Sequence, residues 1–332
     1  MIVKREKLLK ALKAVAPGLA KKEVIEQSTS FVFLNGQVAT YNDEITVRHT
    51  ADIGVDGAVK SDEFMKLISK LKAEEISINV EESQLQIQAG KTKAGLVMDA
   101  EIHLPLESVT DPEKWLKFPS GLLEALNSCS FSVSRDLANP ILTCLFVEQN
   151  RVISSDKWRI TRYTMKKGKI KPFLLPATAV PHLNKMSPTH YAVTKNWAHF
   201  KNADSTVYSI RLFEGTFPEV EKFLNVKGEK IKFPDDLKEV LGKAEIFTES
   251  AVTSDSLVSI RITKGRIRVK GENEIGWLEE SAKLKYKGKE MEFQINPAFL
   301  SQFMDKGQSI IIGESMIKFE DESLEHVAGI IA

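Results

Sequence analysis

Cysteine is scarce in this chain, and neither sign of charge predominates. The 332 residues hold two cysteines, Cys129 and Cys144. Their spacing fits no metal-ligand pattern, and a disulfide framework would need more of them. They read as two reduced, buried thiols of a cytoplasmic protein. Basic residues number 46 and acidic ones 45, a net charge of +1. That balance neither demands nor excludes nucleic acid, because a neutral total can hide a basic face opposite an acidic one. No apolar run approaches the roughly 20 residues that span a bilayer, so no membrane partner is expected. The opening MIVKREKLL lacks the continuous apolar core of a signal peptide. G-x-S-x-G, G-x-x-x-x-G-K-[ST] and H-E-x-x-H are all missing. The six histidines (His49, His103, His182, His190, His199 and His326) are dispersed without metal-ligand spacing. No catalytic residue, metal or cofactor is therefore expected. The carboxylates alternate with Lys and Arg, as on solvated faces.

What is present is a repeat. Hydrophobic residues make up 42% and charged residues 27%, ordinary for a globular protein long enough for two or three cores. Asn150–Met165 reads as two strands of β-branched and aromatic residues around a polar turn at Ser155-Asp156-Lys157. Similar hairpins recur at Asn35–His49 and Lys264–Leu278. Helical patterns recur with them, LLKALKAVA from Leu8, LLEALNSCS from Leu122 and LKEVLGKAE from Leu237. Hairpins and helices share one period of 114 and then 115 residues. Two independent features in step imply three copies of one domain, at 1–113, 114–228 and 229–332.

Within the first copy, the pattern predicts a helix over Arg5–Val15 ended by Pro17-Gly18, and a second over Asp62–Leu71. The second copy predicts a helix over Ser120–Cys129, a strand at Phe131–Val133, and a short helix over Ala177–Met186 interrupted by Pro181. The third predicts helices over Asp235–Phe247 and Pro297–Met304. Thr110–Glu113 and Asn225–Lys232 read as linkers. Each copy is thus an α+β unit of two helices that need antiparallel strands to bury their apolar faces. The opposite helix faces carry lysine: Lys4, Lys7, Lys10 and Lys13 on the first, Lys66 and Lys70 on the second. Lysine suits phosphate contact without base readout, and it also simply solubilises a helix.

SSDKWRI (Ser154–Ile160), FEGTFPEVEKFL (Phe213–Leu224), FSVSRD followed by ILTCLFVE, and KYKGKEMEFQINPAFLSQFMDKG stand in an order and spacing that resemble the bacterial-type DNA polymerase III β subunit, the processivity sliding clamp. The resemblance covers essentially the whole chain. It implies two crescents of three domains closing a six-domain ring, with no catalytic site. The implied partners are sequence-independent double-stranded DNA, a second copy of the chain, and a DNA polymerase and clamp loader bound through short hydrophobic peptides. Positions matching the DNA-facing residues are Lys10, Lys13, Lys21, Lys22, Lys66, Lys70, Arg135, Lys185 and Lys243. Those matching the partner-peptide pocket are Ile141, Ser155, Lys157, Trp158, Arg159, Ile160, Pro218, Phe223, Ile330 and Ile331. The matching dimer contacts are Ala94 and Leu96 against Ile246 and Phe247.

The chain departs from that pattern in places. Ala94 stands where the family has a large aromatic and Lys157 where it has the turn glycine. The tail AGIIA replaces a Met-Pro-Met-Arg type ending, and Asp62-Glu63 replaces a basic pair. Such departures suit a divergent or phage-encoded member. The rival reading is a clamp-like interaction scaffold that does not encircle DNA; a hydrolase on repeated α+β domains is more distant.

Overall fold

The computed structural model describes residues 1–248, 256–307 and 309–332. They gather into two compact units, Met1–Leu123 with Phe173–Glu214, and Glu124–Pro172 with Gly215–Ala332.

The first unit is built on one antiparallel sheet of twelve strands among the described residues. Its order from edge to edge is Ile2–Lys4, Glu75–Glu81, Gln84–Ala89, Thr92–Asp99, Gly57–Lys60, Ser30–Leu34, Gln37–Tyr41, Ile45–Thr50, Val207–Arg211, Trp197–Lys201, His190–Val193 and Leu116–Lys117. Asn35 and Gly36, both left-handed with φ of 51° and 72°, form the two-residue turn that joins Ser30–Leu34 to Gln37–Tyr41. Strand Ile45–Thr50, in the expected first copy, pairs directly with Val207–Arg211, in the expected second, Ile45 opposite Ile210. The sheet runs through that pairing without a break, so contacts group by sheet rather than by repeat.

Helix Arg5–Val15 forms where the pattern places it and buries Leu8, Ala11, Leu12 and Val15. The next helix spans Ser61–Lys70, with Phe64 set edge-on to Phe31 and Phe33 at 6.3 and 6.0 Å. Gly18 closes the first helix where no side chain fits. A Cβ there would lie 2.4 Å from Thr40 Oγ1, whose hydroxyl donates to the Val15 carbonyl at 2.5 Å. Pro181 breaks nothing, because Ala177–Ala179 is a 3-10 turn and the α-helix begins at Val180, leaving Pro181 in its first turn. His199 is buried between Ser209 and Thr194; burial and the nearby Arg48 push its pKa down to about 4, so it packs as a neutral ring.

In the second unit one antiparallel sheet runs in the order Cys144–Gln149, Arg151–Ser155, Arg159–Thr164, Leu324–Gly329, Met316–Glu320, Ser309–Ile312 and Glu229–Lys232. A four-stranded sheet runs Trp277–Lys283, Arg266–Glu272, Val258–Thr263, Met291–Ile295. Helices Leu237–Glu245 and Pro297–Lys306 pack beside it on a core that includes Leu241, Ile260, Val269, Leu300 and Phe303. The second helix is capped by Asn296, whose side-chain oxygen accepts from the Ala298 and Phe299 amides.

Two expectations are corrected here. The expected linker Asn225–Lys232 is in part a strand, since Glu229–Lys232 pairs with Ser309–Ile312 and buries Ile231. The expected strand Phe131–Val133 is instead a 3-10 turn over Ser130–Ser132. The Ser132 hydroxyl makes that turn worthwhile by joining a buried chain: 2.6 Å to Ser154 Oγ, 2.5 Å to Thr161 Oγ1, and from there 2.8 Å to His326 Nδ1. The His326 ring lies 4.4 Å from Phe303 and 5.0 Å from Phe131, and burial beside the Arg159 cation pushes its pKa down to about 3. Both cysteines are free and buried; burial raises both thiols, Cys144 to about 11.

Candidate functional site

A cleft of about 530 Å³ opens on the second unit beside the Ser155–Lys157 turn. One wall is the turn itself. Asp156 Oδ1 accepts from the Trp158 and Arg159 amides at 3.0 and 2.8 Å, closing the turn on its own side chain. Lys157 takes the left-handed conformation with φ of 81°, a geometry in which a side chain costs more than glycine. The turn turns Trp158 outward, 53% exposed, while Ile160 on the following strand lies buried at the cleft floor. The Trp158 carbonyl accepts from the Gly329 amide at 2.9 Å, so the last strand completes the floor.

The facing wall is Pro218–Phe223 with Leu142, and Ser315 and Met316 close one end. Charge holds that wall in place. Glu221, on the short helix Glu221–Leu224, accepts from Arg151 at 2.7 Å and from Arg162 at 2.5 Å. Arg162 also pairs with Glu325, which Lys318 reaches at 2.8 Å. Burial would raise the Glu325 carboxyl, but hydrogen bonds from Lys318 and Arg162 outweigh it and hold the pKa low. The result is an apolar trough, rimmed by Lys157 and Glu219, between walls fixed by ion pairs. It suits an extended segment carrying aromatic or aliphatic anchors.

Six of the ten residues that sequence assigns to a peptide pocket line this cleft: Ser155, Lys157, Trp158, Ile160, Pro218 and Phe223. Four lie outside its lining. Ile141 packs its δ-methyl toward Gly215, 2.6 Å from where a Cβ would sit. Arg159 is only 8% exposed, ion-paired to Asp156 and stacked 4.2 Å over Phe299, so it braces the turn from behind. Ile330 belongs to the apolar core, and Ile331 is tied to Gln294 by paired backbone hydrogen bonds of 2.7 and 3.0 Å. Leu142, Glu219, Val220, Ser315, Met316 and Gly329 complete the lining unannounced. Val220 and Glu219 sit inside the recognised FPEVEKF segment, whereas Met316 follows a turn with no pattern of its own.

The basic candidates divide by their neighbours. Lys10 is ion-paired to Asp204 at 2.9 Å, Lys66 to Asp62 at 3.8 Å, and Lys243 to Glu239 and Glu280 at 3.0 and 3.2 Å. Lys13, Lys21, Lys22, Lys70, Arg135 and Lys185 are exposed without an ion pair among the described residues. In the first unit, strand Thr92–Asp99 pairs with Gln84–Ala89 along Thr92–Val97, and among the described residues only Met98 and Asp99 pair on its other side. Ala94 and Leu96 are half-buried on that free edge. In the second unit, Ile246 is exposed and Phe247 half-buried just after helix Leu237–Glu245. Among the described residues no cluster of His, Cys, Asp and Glu could hold a metal, and no helix is long and apolar enough to cross a membrane.

Neither a scan against protein-family models nor a search of curated proteins gives a match. Solved structures do match. DNA polymerase III subunit β from Pseudomonas aeruginosa is 17% identical, with a TM-score of 0.82 over 100% of this chain and 99% of that one. A sliding clamp from Bartonella birtlesii bound to griselimycin is 18% identical, with a TM-score of 0.82 and the same coverage. The sliding clamp of Bacillus subtilis is 16% identical, TM-score 0.80, over 100% of this chain and 98% of that one. At such identities the likeness establishes the fold, which is that of these sliding clamps from end to end.

Proposed function

We propose that the chain is the subunit of a DNA sliding clamp, a non-enzymatic processivity factor working on DNA in the cytoplasm. The observation that carries the reading is the full-length match in fold to solved sliding clamps, at TM-scores of 0.80 to 0.83. In this reading residues 1–113, 114–228 and 229–332 are three clamp domains, and two chains close a ring of six around duplex DNA. Ala94 and Leu96 of one copy meet Ile246 and Phe247 of the other.

Function then rests on topology. A closed ring holds DNA without gripping it, so phosphate contacts can stay weak, sequence-independent and salt-sensitive. Lys13, Lys21, Lys22, Lys70, Arg135 and Lys185 supply free cations for that purpose. Lys10, Lys66 and Lys243 arrive partly neutralised, which softens the contact further. The cleft beside Trp158 takes the tethered partners, polymerase and clamp loader, through a short peptide whose apolar side chains enter between Trp158 and Phe223. Ile160 and Met316 form the surface beneath, and the bracing of Arg159 and Glu221 spares the peptide the cost of ordering the walls.

The same neutralised lysines favour a second reading, a scaffold of clamp domains that binds partner peptides without enclosing DNA. Solution mass by light scattering across a concentration series tests ring assembly. A value near twice 37.2 kDa is expected. A mass of one chain at every concentration would overturn the ring, and a trimer would be incompatible with six domains.

A further inference from the structure

Cations also gather on the face of the first unit's sheet that turns away from helix Arg5–Val15. Val47 and Tyr208 point toward that helix: Val47 lies against Gly18, and the Tyr208 hydroxyl donates to the Ala14 carbonyl at 3.3 Å. Arg48 and Val207, each one residue along its strand, therefore face the other way. They stand opposite each other in register, and Val207 in turn stands opposite Lys201. The row across three strands is a long cation, a short apolar residue and a second long cation. At about 4.8 Å per strand the two cations rise roughly 10 Å apart, with a gap over Val207 between them.

A cavity of about 200 Å³ lies at that gap, with Asp111, Pro112 and Trp115 on its far side. Asp111 grips the Arg48 guanidinium through both carboxylate oxygens, one of them at 3.3 Å. Trp115 sits edge-on to His199 at 6.4 Å, and the Lys201 ammonium lies 5.7 Å from its ring. Asp111 is the one carboxylate in the lining, and its side chain is 70% exposed, so water weakens its hold. It engages two of the five guanidinium donors and leaves the others free. Lys201 has no carboxylate partner among the described residues. His49, also in the lining, is held below its usual pKa by burial and stays neutral at pH 7. Two cations and one carboxylate therefore leave one positive charge uncancelled, and the hydroxyls of Thr50 and Ser205 stand beside it.

We propose that this cavity binds a phosphate group, held between Lys201 and the free donors of Arg48. Phosphate offers oxygens on several sides to converging donors, and hydrogen bonds between charged partners are the strong kind. Size limits what the phosphate can carry. Pockets for drug-sized ligands enclose about 300–1,000 Å³, and this one is smaller. The ligand is thus free phosphate or a small phosphomonoester whose body lies along Pro112 and Trp115. The site stands on the opposite sheet face from helix Arg5–Val15 and its lysines, so its ligand is a different one from theirs.

Phosphorus NMR titration of the full-length protein at fixed ionic strength tests the site, with inorganic phosphate and phenyl phosphate as probes. Lys201→Gln should weaken phosphate binding at least about tenfold, the cost of one charge-assisted hydrogen bond. Lys201→Arg, which keeps the charge, should bind as the parent does. Asp111→Asn should bind several-fold tighter, because it removes the competing carboxylate and releases Arg48. A merely structural contact would not answer the two kinds of variant in opposite directions. Tighter binding of phenyl phosphate than of phosphate identifies a monoester as the ligand, and equal or weaker binding identifies free phosphate. No phosphate binding by the parent, or equal affinity in the parent and Lys201→Gln, would overturn the site. So would an equal loss in both Lys201 variants, or no gain in Asp111→Asn with its melting temperature unchanged.

Discussion

Replacing Trp158 with alanine separates a ligand-binding role from a packing one. The indole leaves 53% of its surface exposed at the cleft mouth. A large aromatic covers about 150–250 Å² when buried, so roughly 100 Å² is left for a bound peptide to cover. At about 25 cal/mol per Å² that surface is worth roughly 2.5 kcal/mol. Truncating an aromatic anchor at the centre of an interface costs about 2 kcal/mol or more. A loss of about 2 kcal/mol is roughly a 30-fold weaker Kd. The backbone contacts that shape the turn, Trp158 amide to Asp156 and Trp158 carbonyl to Gly329, do not involve the ring. Thermal stability should therefore stay within about 2 °C of the parent. Fluorescence anisotropy with a labelled peptide carrying leucine and phenylalanine anchors measures the first quantity, and a melting curve the second. Unchanged affinity would refute the assignment of the cleft. Weakened binding accompanied by a drop of many degrees would refute the claim that Trp158 serves the ligand rather than the fold.

Asp204→Asn should release Lys10 and strengthen DNA binding, steepening the dependence of log affinity on log salt by about 0.9; an unchanged slope would remove Lys10 from the DNA-facing set. The folded pKa of His326, about 3, lies below its unfolded value, so the unfolded chain takes up the proton first. Its contribution to stability is complete above about pH 6.5 and declines as pH falls toward 3, amounting to a loss of roughly 2 kcal/mol at pH 5. Denaturant melts of His326→Gln should show a shallower decline between pH 6.5 and 4, and parallel curves would contradict the burial argument. Arg159→Ala should destabilise the fold by about 2 kcal/mol, by removing the ion pair to the half-buried Asp156 and the stacking on Phe299. Intact stability with lost peptide affinity would instead put Arg159 in the cleft.

The repeated helix and hairpin patterns were legible because apolar spacing and turn chemistry are local. Helix Arg5–Val15 and the Asn35-Gly36 turn needed only their neighbours in sequence. What local pattern could not give was the path of the sheets. Nothing in Ile45–Thr50 says that it continues into Val207–Arg211 rather than ending its own domain. The polar Ser132 likewise hides a buried hydrogen-bond chain that overrides the strand propensity of its neighbours. At the cleft, Ser155, Lys157, Trp158 and Ile160 on the recognisable turn stand in the lining, while Met316 and Ser315 enter through tertiary packing alone. Arg159 lies outside the lining for a geometric reason. Its neighbours Trp158 and Ile160 face the cleft, but an alternating strand sends Arg159 to the other side.

Topological retention on DNA addresses the central claim most directly. Dilute protein is concentrated in the presence of nicked circular plasmid, so that chains assemble around it, and the DNA is then isolated by gel filtration at a salt concentration that suppresses phosphate contacts. A ring predicts protein that elutes with the circles and is released when a restriction enzyme cuts them. Equal retention on circular and linear DNA, or none on either, would contradict an encircling clamp.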